Sequence, residues 1–260
     1  MTDNLIEKIN NFFLFFVIMI SEQGKKAPIL FKGDGKSKAS HLVYGNSANL
    51  FSSIIKKRLK KKENYCLVDF GSSRGDFLNE LIKKLPQYNF NIICIDKEKE
   101  PLDKNTVAHE KICSNLVSVP LRDDSADLLI MRYVLQWDSL EEQKQILSEL
   151  RRLMRDFAIV QHAGADSKNA LKWRKNNDNL FKGEIKSLYR FEQCFSSSQE
   201  VENMMKEVGL DYKKIDEIKV EGLSDIINEK YVLDKKERLR VKEILGKWDY
   251  IVITTWVISK

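Results

Sequence analysis

The residues best suited to ligand chemistry lie in one short segment, Val68–Asp76, which reads Val-Asp-Phe-Gly-Ser-Ser-Arg-Gly-Asp. A carboxylate, Asp69, stands two positions before Gly71, and a second glycine follows at Gly75. A glycine lets the backbone approach a ligand closely because it has no Cβ. The segment follows a run typical of a buried strand and opens a helical pattern, and open parallel sheets bind their ligands at such a junction.

Two common phosphate-binding loops do not fit this segment. The dinucleotide fingerprint G-x-G-x-x-G needs glycine at positions 73 and 76, where the chain has Ser73 and Asp76. The P-loop needs a second glycine followed by Lys and Ser or Thr, and nothing of that kind follows Gly71. What remains is Asp-x-Gly-x-x-x-Gly, with a carboxylate at the strand end and no lysine for phosphates. It favours a ligand that lacks phosphate and carries a positive charge.

Short apolar runs and helical patterns alternate from residue 65 onward, and this alternation must position the segment. The apolar runs predict strands at 65–70, 90–95, 126–131, 157–161, 213–220 and 250–258. The helical patterns lie at 47–62, 76–85, 140–154 and 196–208, with Ser196–Ser198 as candidate N-caps of the last. Strands that alternate with helices indicate an α/β domain with a mostly parallel sheet.

Several motifs in order give the chain a resemblance to the class I S-adenosylmethionine (SAM)-dependent methyltransferases, from about Leu42 to the C-terminus. Asp69, Gly71, Ser73 and Gly75 resemble the acidic-x-Gly-x-Gly-x-Gly loop that binds the cofactor, with Ser73 in place of the middle glycine. Asp96, at the end of the second strand, resembles the acidic residue that takes both ribose hydroxyls. A carboxylate suits that task because it accepts several hydrogen bonds at once.

The resemblance continues beyond the second strand. The segment around Asn115 and Leu116 is similar to the one that contacts the adenine, and the run Val119–Leu129 is similar to the family's approach to its fourth strand. Lys97 and Arg132 complete the set of expected cofactor-binding residues. The family implies SAM as cofactor and a three-layer Rossmann-like sandwich, with seven strands, the last of them antiparallel.

The domain organisation follows from this resemblance. Residues 1–40 are expected to form an N-terminal apolar helix and connector that caps the pocket or contacts a partner, including a second copy of the chain. Residues 41–260 form the methyltransferase domain, with inserts at about 166–194 and 221–249 that shape the substrate pocket. The apolar run Phe12–Ile20 has nine residues, fewer than the roughly 20 that span a bilayer.

The residues after the strand at 126–131, which corresponds to the family's fourth strand, favour a small-molecule acceptor methylated at oxygen or nitrogen. The run that begins at Arg132 resembles that of UbiE-like small-molecule enzymes, with Gln136 where histidine is common, and it lacks the Asn-Pro-Pro-Tyr and Pro-Cys motifs of nucleic-acid enzymes. Two residues are candidate catalytic residues. His162 follows the strand at 157–161, which corresponds to the family's fifth strand, and Tyr44 lies in the N-terminal part. Two alternatives stay open: an RNA or protein methyltransferase, and a catalytically silent methyltransferase fold that acts as a scaffold.

Composition narrows the class of protein without choosing the substrate. The 260-residue chain is 43% hydrophobic and has 4 Pro and 11 Gly, which excludes a disordered or collagen-like chain. Its net charge of +6 is too small to establish nucleic-acid binding. The four cysteines lie far apart without a CxxC pair, so we expect reduced thiols in a cytoplasmic protein and no metal site.

Overall fold

The fold is described by a computed structural model that covers residues 38–60, 64–166, 196–221, 239 and 250–260. The apolar run Phe12–Ile20 and most of both expected inserts lie outside these residues. Within these ranges no helix is both long enough and apolar enough to cross a bilayer.

The described chain alternates strands and helices as the sequence predicts. The elements are α1 (Lys38–Arg58), β1 (Tyr65–Phe70), α2 (Asp76–Lys83), β2 (Phe90–Asp96), α3 (Lys99–Asp103), β3 (Glu110–Cys113), β4 (Ala126–Arg132), a 3-10 turn (Leu135–Trp137), α4 (Leu140–Leu153), β5 (Met154–Gly164), α5 (Ser198–Glu207), β6 (Asp211–Glu221) and β7 (Tyr250–Ser259).

The seven strands form one sheet in the order β3-β2-β1-β4-β5-β7-β6. Strands β1 to β5 are parallel, and β7 runs antiparallel between β5 and β6. The predicted seven-stranded Rossmann-like sheet with an antiparallel last strand is therefore confirmed. The strand order reverses at β1, whose partners are β2 on one side and β4 on the other, so ligands are expected outside this point.

Hydrophobic side chains pack on both faces of the sheet, which makes the three layers. Phe51 of α1 and Phe77 of α2 meet edge to face, with ring centroids 5.1 Å apart, on the same face as Leu67 and Ile130. The opposite face carries α4 and α5, whose apolar residues share a cluster with Trp256 of β7. Because side chains alternate along a strand, each strand contributes residues to both clusters.

The N-caps of two helices match their sequence signals. Ser197 and Ser139 cap α5 and α4, each in a capping box with a glutamate three residues later. Two boundaries differ from the sequence prediction. α1 begins at Lys38 and not at Ser47, and β5 begins at Met154, where we expected α4 to end. The short elements α3 and β3 were not predicted.

Candidate active site

Four polar side chains lie on one face of the sheet at the carboxyl ends of neighbouring strands. Asp69 is the penultimate residue of β1, Asp96 ends β2, Arg132 ends β4, and Gln161 lies near the end of β5. Each is two residues from a member of the cluster that packs against α1 and α2, so strand alternation directs all four to that face. The sequence placed the first three at the site and missed Gln161.

The glycine loop between β1 and α2 needs left-handed backbone at three positions. Gly71, Ser73 and Gly75 have φ values of +71°, +47° and +76°. A Cβ at Gly71 would overlap the side chain of Val134, which follows β4. Ser73 stands in place of the family's middle glycine and has the positive φ that glycine adopts most easily. This conformation is disfavoured for a residue with a Cβ.

Asp96 is held by the backbone around it. Its Oδ2 accepts the N–H of Ser73 at 2.8 Å, and its Oδ1 accepts the N–H of Glu98 at 2.9 Å. Burial raises the pKa of Asp96 above its ordinary value, against these two N–H groups, which lower it. Each carboxylate oxygen has two acceptor positions and uses one of them here, so the group retains acceptor capacity for two hydroxyls. This fits the ribose of SAM.

Asp69 is the most perturbed acid of the site. Burial, helped by the charge of Asp96, raises its pKa to about 8, and the guanidinium of Arg132 acts in the opposite direction. Asp69 is therefore mostly protonated at pH 7 when no ligand is bound. A buried carboxyl group of this kind is a natural counterion for a cationic ligand, because a nearby positive charge favours its ionised form.

Arg132 contacts three described side chains at the carboxyl edge of the sheet. Its Nε donates to Oε1 of Gln161 at 2.9 Å, and its guanidinium lies 4.5 Å from the ring centroid of Phe77 and 4.6 Å from that of Tyr133. Ser47 of α1 donates to the same Gln161 oxygen at 3.1 Å. Gln161 therefore joins α1, β4 and β5 at this edge. The polar residue that ends the apolar run at 157–161 was the sequence signal that would have found it.

The remaining expected cofactor residues lie at the same end of the sheet in different environments. Lys97 is exposed and forms an ion pair with Asp138 at 3.3 Å. Asn115 is exposed, and its Oδ1 accepts the N–H of Val117 at 3.2 Å. The side chain of Leu116 is buried in the cluster on the α4 side of the sheet.

Of the two candidate catalytic residues, His162 lies apart from the line of polar side chains. His162 follows Gln161 in β5 and so points to the opposite face, fully buried, with Nε2 2.9 Å from the carbonyl oxygen of Ser196 and 3.2 Å from its hydroxyl. Burial lowers the pKa of His162 to about 4. The sequence indicated His162 as a candidate catalytic residue, whereas this placement is on the face opposite Asp69, Asp96 and Arg132. Tyr44 belongs to α1, one turn before Ser47, and its side chain lies outside the described residues.

Gln136, where related sequences often carry histidine, is buried in the turn after β4. Its Nε2 donates to the carbonyl oxygen of Tyr133. This hydrogen bond stabilises the turn that follows β4. Among the described residues no three His, Cys, Asp or Glu side chains come together in a way that would hold a metal ion.

The reversal of strand order at β1, the glycine loop and the carboxylate at the end of β2 define a Rossmann-like domain with a candidate nucleoside site at its carboxyl edge. Residues 68–160 match a family model described as a methyltransferase domain. The match covers a little over a third of the chain, from β1 to β5, and there the chain is similar to methyltransferases, a family whose cofactor is SAM.

Individual relatives are distant. An uncharacterized protein of Methanocaldococcus jannaschii is 28% identical over 104 residues, which are 40% of this chain and 42% of that protein, so the chain matches less than half of this curated relative. The structure of YcgJ from Bacillus subtilis aligns with 83% of this chain and 99% of its own, at a TM-score of 0.61 and 15% identity. A geranyl diphosphate C-methyltransferase from Streptomyces coelicolor aligns with 96% of this chain and 97% of its own, at a TM-score of 0.53 and 10% identity. At these identities the two structures establish the fold.

Proposed function

We propose that this methyltransferase transfers the methyl group of SAM to an oxygen or nitrogen of a small molecule, as a UbiE-like enzyme of the cytoplasm. SAM supplies a methyl group made electrophilic by the sulfonium that carries it. In this proposal Asp96 accepts the ribose hydroxyls, and Asp69 places a carboxylate close to the cationic part of the cofactor. The exposed Asn115 contacts the adenine.

The charge arrangement at the carboxyl edge is the observation that carries the choice of a small acceptor. Arg132 lies between two aromatic rings, bonded to Gln161 and close enough to Asp69 to lower its pKa, and Lys97 pairs with Asp138. Both expected cations of the site are thus engaged by groups of the protein. A channel for RNA would instead present its cations to phosphates, because phosphate neutralisation supplies much of the binding free energy.

The chain's residues contribute to the reaction mainly by positioning. Methyl transfer from a sulfonium is an in-line displacement, and holding the two reactants in the right geometry can lower the barrier by about 7–11 kcal/mol. His162 is fully buried on the other face of the sheet, so we propose that transfer proceeds without it as a base. An acceptor that must lose a proton would release it to water or to a group of its own.

The test uses SAM with a radioactive methyl group and the full-length protein. After incubation with a cell extract, we expect label in the small-molecule fraction and a labelled product that is stable to nuclease and protease. Label that enters RNA or protein would overturn the choice of acceptor. Absence of SAM binding in calorimetry would overturn the enzymatic function itself, and the chain would then be a scaffold.

A further inference from the structure

A buried asparagine outside the glycine loop contacts the loop's least favourable residue. Asn105 follows α3 and is 1% exposed. We infer that Asn105 is a positioning residue for the cofactor loop, which holds Ser73 in its left-handed conformation together with Asp96. The inference rests on SAM as the cofactor and is independent of the identity of the acceptor.

The orientation of the Asn105 amide is fixed by its backbone partners. Its Oδ1 accepts the N–H of Val107 at 3.0 Å and that of Ala108 at 3.2 Å. Only the oxygen of an amide side chain can accept these bonds, so Nδ2 must point the other way. It donates to the carbonyl oxygen of Ser73 at 3.4 Å. The same residue thus shapes its own turn and reaches the loop.

Gly75 makes room for this contact. A Cβ built on Gly75 would lie 2.5–2.7 Å from three atoms of the Asn105 amide. The second glycine of the loop is therefore required twice: for its φ of +76° and because the amide group occupies the space of a side chain. The sequence pattern shows the glycine, but it does not show the asparagine, which lies thirty residues later in the chain.

Ser73 is held at both of its backbone groups. Its N–H donates to Asp96, and its carbonyl oxygen accepts from Asn105. A residue with a Cβ prefers negative φ, whereas glycine populates both signs about equally. If either of these hydrogen bonds is lost, Ser73 is expected to leave the conformation with φ of +47°. The loop then no longer presents its backbone to SAM. A glycine at position 73 would depend far less on these two hydrogen bonds, because it adopts positive φ easily.

A double-mutant cycle between positions 105 and 73 therefore tests the inference. The variants are Asn105→Ala, Ser73→Gly and the double variant, each as the full-length chain, and the readout is the Kd for SAM and for S-adenosylhomocysteine by calorimetry. We expect Asn105→Ala to raise both Kd values about tenfold, which corresponds to about 1.4 kcal/mol. Ser73→Gly supplies its own reference Kd, and adding Asn105→Ala to it should raise that Kd less than threefold, so the double variant recovers most of the loss.

Two controls keep the test decisive. Asn91→Ala removes an exposed asparagine of β2 and should leave both Kd values unchanged. Asn105→Asp retains the acceptor for Val107 and Ala108 and removes the donor to Ser73, so it serves if Asn105→Ala does not fold. It should weaken binding, and Ser73→Gly should restore it.

The inference is wrong if a folded Asn105 variant binds SAM within twofold of the wild type. It is also wrong if Ser73→Gly fails to restore binding, because Asn105 would then support the fold in general and not Ser73 in particular. Failure of the wild type itself to bind SAM would instead count against the methyltransferase function.

Discussion

The Nε of Arg132 and the Oε1 of Gln161 are joined by a hydrogen bond of 2.9 Å that connects the carboxyl ends of β4 and β5. The same oxygen accepts from Ser47 of α1, and the Nε2 of Gln161 donates to Thr255 of β7 at 3.0 Å. One amide side chain thus joins three strands and the N-terminal half of α1. Through Arg132 this connection reaches Asp69, because the guanidinium opposes the rise in the pKa of that carboxyl group.

Removing this amide should destabilise the protein. Gln161→Leu has a similar volume but leaves the buried donors of Ser47 and Arg132 without this acceptor. Each buried polar group without a partner costs about 1–3 kcal/mol, so the free energy of unfolding should fall by at least that amount. Urea denaturation measures it. Gln145→Leu, on the exposed side of α4, is the matched control and should change stability by less than about 0.5 kcal/mol. Equal effects of the two variants would contradict the role of Gln161.

Asp96 should contribute to cofactor affinity more than to stability. We expect Asp96→Asn to weaken SAM binding by about 1.5–3 kcal/mol, because hydrogen bonds to a charged acceptor are lost while the shape of the side chain is kept. Calorimetry gives the affinity and circular dichroism checks the fold. Asp156→Ala, an exposed acid at the opposite end of the sheet, is the control. Unchanged affinity in a folded Asp96→Asn protein would remove Asp96 from the site.

Stability without ligand should fall as the pH rises because of Asp69. Its pKa is about 8 in the folded chain against 3.8 as the ordinary value, so between these two values the folded state holds a proton that the unfolded state has lost. The contribution is greatest below pH 4 and is lost as pH rises toward 8, at no more than about 1.4 kcal/mol per pH unit. Asp69→Asn should flatten this slope in thermal unfolding at a series of pH values. An unchanged slope would show that Asp69 has an ordinary pKa.

SAM binding should also release a proton from Asp69. The cationic cofactor favours the ionised carboxylate, whereas S-adenosylhomocysteine carries no charge on its sulfur and should release less. Calorimetry at pH 7 in buffers of different ionisation enthalpy measures the number of protons released. We expect the difference between the two ligands to vanish in Asp69→Asn. Equal release with both ligands in the wild type would place the sulfonium away from Asp69.

His162 should matter for stability at low pH and little for catalysis. Its pKa of about 4 lies below the ordinary 6.5, so the folded state loses stability as pH falls from about 6.5 to 4, where the unfolded chain takes up the proton first. His162→Gln should remove this dependence and keep kcat within a few-fold of the wild type. A fall in kcat of about 10²–10⁴ would instead identify His162 as a general base.

The apolar segment Phe12–Ile20 stays a prediction of the sequence. We expect deletion of residues 1–22 to leave the core folded, because the described members of both hydrophobic clusters lie at Ala48 and beyond. Turnover or oligomeric state should change if the segment caps the pocket or joins two copies of the chain. Size-exclusion chromatography and activity measure the two properties. If neither changes, the segment has neither role.

Local patterns determined the fold class and much of the candidate cofactor site. Apolar runs and helical periodicity depend on neighbours within one turn or one strand, so the sequence by itself indicated the alternating elements and placed Asp69 and Asp96 at strand ends. The glycines of the loop were visible for the same reason. Elements too short to show a period, α3 and β3, were missed because four or five residues do not establish one.

Tertiary structure decided which side chains meet. Gln161 and His162 are neighbours in sequence, and both follow an apolar run. The strand pleat sends the first to Arg132 and Ser47, and the second into the opposite layer against Ser196. Asn105 and Ser73 are likewise 32 residues apart in the chain and in contact in the fold. The sequence alone does not determine such pairings, because they depend on the register and packing of the whole sheet.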